Sequence, residues 1–123
     1  MSESTMDEGV ANESPIDMDA FRQDMKEQDL EDLIDELIEA FVGDASIRFD
    51  ALQTAVESVD ANGIRTAAHA YKSAAATMQA VRLANLLQQT ETAAHDGDVA
   101  KAVGLLPLLK SEHEAVLAQL GQA

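Results

Sequence analysis

Between Ile64 and Ala80 the chain admits one regular structure. The segment is rich in alanine and contains no proline and no glycine, so an α-helix is its preferred state. Placed at about 100° per residue, Ile64, Ala67, Ala68, Tyr71, Ala74, Ala75 and Met78 gather into one apolar sector. His69 falls about 160° from the centre of that sector, on the solvent side. Ser73 and Ala76 follow on the same face, and Lys72 stands beside them. The helix must therefore bury one side and present an imidazole among small side chains on the other.

An exposed imidazole of that kind is a usable nucleophile near neutral pH. Small neighbours let a second protein bring a phosphoryl group to the ring, and a lysine three residues on lies on the adjacent face, where it can offset phosphoryl charge. A histidine standing alone more often has no function at all. This one stands in the pattern His69-x-Tyr71-Lys72-Ser73-Ala74-Ala75-x-x-Met78-x-Ala80. That pattern resembles the signature of histidine phosphotransfer (HPt) domains, and the resemblance runs from about Ile16 to Leu120. It takes in Leu83-Ala84-Asn85-Leu86-Leu87 and the segment Glu91 to Asp98 with its Gly97-Asp98 turn. The resemblance implies that His69 accepts a phosphoryl group from an aspartyl phosphate and that Lys72 assists as a cation. It implies response-regulator receiver domains and a hybrid sensor histidine kinase as partners, with magnesium carried by the receiver alone. The pattern departs from the family at two positions that usually hold glycine, here Ser73 and Gln79.

Composition narrows the class independently. The chain is 46% hydrophobic but only 3% aromatic, so its core is aliphatic. Alanine and leucine abound and strand-favouring runs are absent, which predicts an all-α fold. With no cysteine there is no disulfide, thiolate metal site or thiol nucleophile. No apolar run reaches the roughly 20 residues of a membrane span, and the acidic N-terminus is unlike a secretory signal, so the expected location is cytoplasmic. A net charge of −15 argues against nucleic acid as a partner.

The placement of charge says more than its total. Of the 23 acidic residues, 15 lie in residues 1–44, and none lies between Ala61 and Thr90. That window carries Arg65, Lys72 and Arg82. One reading is a docking surface around His69, including Arg65, Thr66, Ser73 and Ala76, that does not repel phosphate or an acidic pocket. The plain reading is a buried alanine- and leucine-rich helix pair.

Along the chain, residues 1–14 read as an acidic disordered tail and residues 15–123 as one helical domain. Pro15 to Gln28 predicts a short amphipathic helix. Asp29 is expected to cap a helix running to Val42, with a break or bend at Gly43 or Asp44. Ala45 to Val59 continues, with Ile47, Leu52, Ala55, Val56 and Val59 as core positions. Asp60 caps the central helix, which runs to about Gln79. A very short link leads into Val81–His95, so these two are antiparallel neighbours. Asp96-Gly97-Asp98 is a turn. The last helix runs from Val99 to Leu120, with Val103, Leu106, Leu109, Val116 and Leu120 inward, a kink at Pro107, and His113 at the surface. Neither the acidic helix face nor His95-Asp96 has the partner ligands of a metal site, so no metal is expected.

These readings combine into an antiparallel four-helix bundle with one or two short extra N-terminal helices. The expected function is relay of a phosphoryl group between receiver aspartates through His69, without cofactor and without autokinase activity, since no nucleotide-binding loop is present. The alternative is a helical adaptor that binds a receiver or kinase without transferring phosphate.

Overall fold

The computed structural model describes residues 14–121. Most of the expected acidic tail lies outside the described residues. Among the described residues the chain forms α1 (Met18–Glu27), a 3-10 turn (Glu31–Leu33), α2 (Ile34–Glu57), α3 (Ala61–Thr77), α4 (Val81–His95) and α5 (Val99–Gln119). Helices α2 to α5 form the bundle, and α1 closes one end. The core is aliphatic as composition requires: Leu52, Ile64, Ala68, Ala75, Leu83, Leu87, Leu109 and Val116 are buried, and Phe21, Phe49 and Tyr71 supply aromatic bulk.

The links between bundle helices share one construction. Each is three residues long, and its middle residue, Val59, Gln79 or Gly97, has a positive φ of 53°, 61° or 80°. In each the middle N–H returns to a carbonyl three residues back and the next N–H to one five back, as in Val59 to Val56 and Asp60 to Ala55. This is the Schellman closure of a helix C-terminus. The third residue then starts the next helix, and the carboxylates of Asp60 and Asp98 accept the N–H groups of Gly63 and Lys101 at 3.1 Å each. Links this tight force antiparallel neighbours.

The same closure corrects the expectation at Asp29. Asp29 has φ 61° and donates its N–H to Lys26, so it ends α1 and caps nothing. Helix α2 begins later, at Ile34. Gly43 and Asp44 do not break it. A mid-helix glycine costs only about 1 kcal/mol, and the buried Phe41, Ala45, Phe49, Leu52 and Val56 hold the helix continuous on either side of it.

Three expected core residues face solvent instead. Ile47 is 68% exposed and Val59, in its left-handed turn, is 63% exposed. Val103 is also exposed, because the inward line of α5 is Ala102, Leu109, His113 and Val116. Pro107 stands inside α5 on an exposed position, where water can serve the carbonyl it leaves free.

His113 is the largest correction. It is buried, shares a 2.6 Å hydrogen bond with the Tyr71 hydroxyl and stacks on Phe49 with ring centroids 4.4 Å apart. Burial outweighs the nearby Glu114 and Asp50 carboxylates and pushes the imidazole below its ordinary range. Burial likewise pushes the Tyr71 hydroxyl above its own. This neutral pair locks the inner face of α3 to α5, directly beneath the face that carries His69.

Helix α1 is fixed by a clamp. The Gln119 side-chain oxygen accepts the Ile16 N–H at 2.7 Å, and its amide donates to the Ile16 carbonyl at 2.9 Å. Asp17 N–H donates to the Gln79 carbonyl at 3.1 Å. The entry segment is thereby tied to the turn between α3 and α4 and to the last residue of α5, and α1 starts at Met18 rather than at Pro15.

Candidate functional site

The central helix follows its sequence phase. Ile64, Ala68, Tyr71, Ala75 and Met78 are buried, with Ala67 and Ala74 packed against them. The side chain of His69 is 62% exposed on the opposite face.

His69 is not a free imidazole. Its Nδ1 lies 2.9 Å from Oε2 of Glu91 on α4. The other oxygen of Glu91 is buried and lies 2.8 Å from Lys72 Nζ in an ion pair. Lys72 Nζ also donates to Gln88 Oε1 at 2.8 Å, and the Gln88 amide donates to Thr92 Oγ1 at 3.0 Å. Burial alone would raise the Glu91 carboxyl, but Lys72 and His69 outweigh it and hold it below the ordinary carboxylate range. Glu91 is therefore an ionised acceptor at neutral pH, and Nδ1 must carry the proton it donates. Nε2 is then the ring nitrogen left with a lone pair.

Sequence reasoning placed His69 and Lys72 together and missed Glu91 and Gln88. The signal was available: an antiparallel pair joined at residues 78–80 sets residue 69 opposite residue 91 and residue 72 opposite residue 88. The acid-free window ends at Thr90, one residue before the acid that reaches His69.

The expected docking residues separate to two flanks. Arg65 is exposed, lines a cleft with residues of α4, and donates within its own helix to Asn62 Oδ1 at 2.9 Å. Thr66 is exposed toward α2, in a shallow groove with Ala51, Ala55 and Ala70. Ala76 is exposed one turn beyond Ser73. Ser73 donates its hydroxyl to the His69 carbonyl at 3.2 Å, so it is turned onto its own helix.

An antiparallel bundle of four helices with a fifth closing one end is an all-α architecture, and comparison with known proteins identifies its family. The family model for the Hpt domain matches residues 36–119. The chain belongs to the Hpt domain family and is a histidine phosphotransfer protein of phosphorelays. The crystal structure of histidine-containing phosphotransfer protein B (HptB) from Pseudomonas aeruginosa PAO1 is similar to it, with a TM-score of 0.79 and 27% identity, over 88% of this chain and 92% of that one. No curated protein sequence matches the chain. Among the described residues no helix is long and apolar enough to cross a membrane.

Proposed function

We propose that His69 is the residue that carries the phosphoryl group, and that Glu91 and Lys72 position and balance it. Nε2 attacks the phosphorus of an aspartyl phosphate on a receiver domain. The nitrogen–phosphorus bond forms, the bond from phosphorus to the aspartyl oxygen breaks, and the aspartate leaves as a carboxylate. The ring becomes cationic with its proton still on Nδ1, and the Glu91 carboxylate stabilises that charge at 2.9 Å. An acyl phosphate is already activated, so orientation and charge account for most of what the protein supplies. The observation that carries this reading is the bond from Nδ1 to an ionised carboxylate on an otherwise exposed ring.

Lys72 has a double task. At rest it is only 24% exposed and is held by Glu91 and Gln88. It keeps Glu91 ionised, and it lies one turn from His69, where it offsets charge arriving with the phosphoryl group. Magnesium belongs to the receiver in this reading. The chain acts as a cytoplasmic carrier between receiver domains, one of them on a hybrid sensor kinase, and has no autokinase activity. Residues 15–123 form the working domain and residues 1–14 an acidic tail.

The test is incubation with a receiver domain bearing a labelled aspartyl phosphate. Label that is acid-labile and base-stable should appear on the wild type and be absent from His69→Gln. Stable binding of the receiver with no label on the wild type would overturn the proposal in favour of a non-transferring adaptor.

A further inference from the structure

Helices α3 and α4 present a ladder of cross-helix pairs. Lys72 meets Gln88 at 2.8 Å, and His69 meets Glu91 at 2.9 Å. The next rung, toward the Asp60 end of α3, brings Arg65 and His95 to the walls of one cleft of about 230 Å³, which Gln88, Glu91 and Thr92 complete. The two inner rungs match a donor with an acceptor. The outer rung does not, because both of its members are basic.

Neither basic group is satisfied by an acid. Among the described residues Arg65 bonds only the neutral Asn62 oxygen, at 2.9 Å, and His95 has no side-chain partner. Thr92 Oγ1 already accepts from Gln88, so its own hydrogen is available to donate into the cleft. Glu91 is the acid in the lining, and its carboxylate is engaged by Lys72 and His69. The cleft thus offers a guanidinium, an imidazole and a hydroxyl donor, in a chain of net charge −15. A forked guanidinium facing further donors across a cleft is the donor set that binds oxyanions.

We propose that this cleft is an oxyanion seat, separate from Nε2 of His69. In the isolated chain it takes inorganic phosphate. In a complex it takes a carboxylate of the docked receiver and so sets the register in which the receiver meets His69. The second statement rests on the phosphotransfer reading, and the first does not.

The probe is inorganic phosphate, titrated into the full-length chain at constant ionic strength and followed by NMR at the Arg65 Nε–H, Thr92 and His95 signals. A saturable shift of these signals is expected in the wild type and in His69→Gln. Arg65→Ala should weaken binding at least fivefold, with Arg65→Lys between the two. A shift that never saturates, or that sodium chloride reproduces, or that Arg65→Ala leaves unchanged, overturns the seat. For the docked state, Arg65→Ala should raise the Kd for a receiver domain at least fivefold, and an unaltered Kd overturns the carboxylate assignment. Labelling of wild-type His69 with phosphoramidate reports separately on the phosphotransfer reading. Its failure strikes that reading and leaves phosphate binding in the cleft intact.

Discussion

Removing either half of the buried Tyr71–His113 pair should destabilise the bundle, and removing both should cost less than the sum. Tyr71→Phe leaves Nδ1 of a buried histidine without its 2.6 Å partner. An unsatisfied buried polar group costs about 1–3 kcal/mol. His113→Phe retains a ring to stack on Phe49, at the site where the centroids now lie 4.4 Å apart, and strands the Tyr71 hydroxyl at similar cost. In the double variant no polar atom is stranded, so a coupling of at least about 1 kcal/mol is expected. Each single variant should lower Tm by roughly 4–12 °C for a chain of this size. The assay is urea denaturation near pH 8, where an ordinary imidazole is neutral in both states. The same pair sets a pH dependence. Burial depresses His113 in the folded state, so between its folded value and the ordinary value of about 6.5 the unfolded chain binds more protons. Stability should fall as pH drops below about 6.5, level off below the folded value, and lose this component in His113→Phe. Additive single variants, or a pH profile identical in wild type and His113→Phe, would refute the reasoning.

Three further outcomes are expected. Val59→Gly should raise stability by about 0.5–1 kcal/mol in the same denaturation assay: the left-handed φ of 53° strains a β-branched residue by about 1–2 kcal/mol, glycine's extra unfolded entropy returns part of that, and the exposed side chain gives up little packing. Glu91→Gln keeps an acceptor for Nδ1 but removes its charge, and should slow phosphotransfer roughly fivefold to tenfold in rapid-quench measurements, with an unchanged rate counting against any role for the carboxylate. Ser73→Gly should cost about 0.5 kcal/mol of helix stability and leave the transfer rate nearly constant, because the Ser73 hydroxyl is bonded to the His69 carbonyl; a large acceleration would instead mark Ser73 as a steric brake.

The central helix was legible because its signal is local. Seven apolar residues recur at the helical period, and the structure buries or packs each of them while exposing His69. The Gly97 turn was legible for the same reason, since glycine adopts a positive φ without strain. The turns at Val59 and Gln79 use the same closure with residues that carry no such signal. Gln79 is one of the positions where the family usually has glycine, and its φ of 61° supplies the physical reason. On α5 the inward positions Leu109 and Val116 were read correctly, and His113 was set at the surface on the charge of its neighbours rather than on its phase. The spacing Leu109, His113, Val116 holds the correct phase, but a histidine between Glu112 and Glu114 reads as solvated until Phe49 and Tyr71 are known to wait for it.

By itself the sequence determined an all-helical bundle, the helix that bears His69, the solvent side on which it sits and a lysine one turn away. These follow from residue type and a period of 3.6. The register of α3 against α4 was implicit in their short link, but the tertiary structure alone decided that one Glu91 carboxylate engages both His69 and Lys72, that Tyr71 bonds His113 and that Gln119 grips Ile16. Such meetings depend on the angle and register at which helices pack. Those are fixed by three-residue turns and buried volume, which no single stretch of residues encodes.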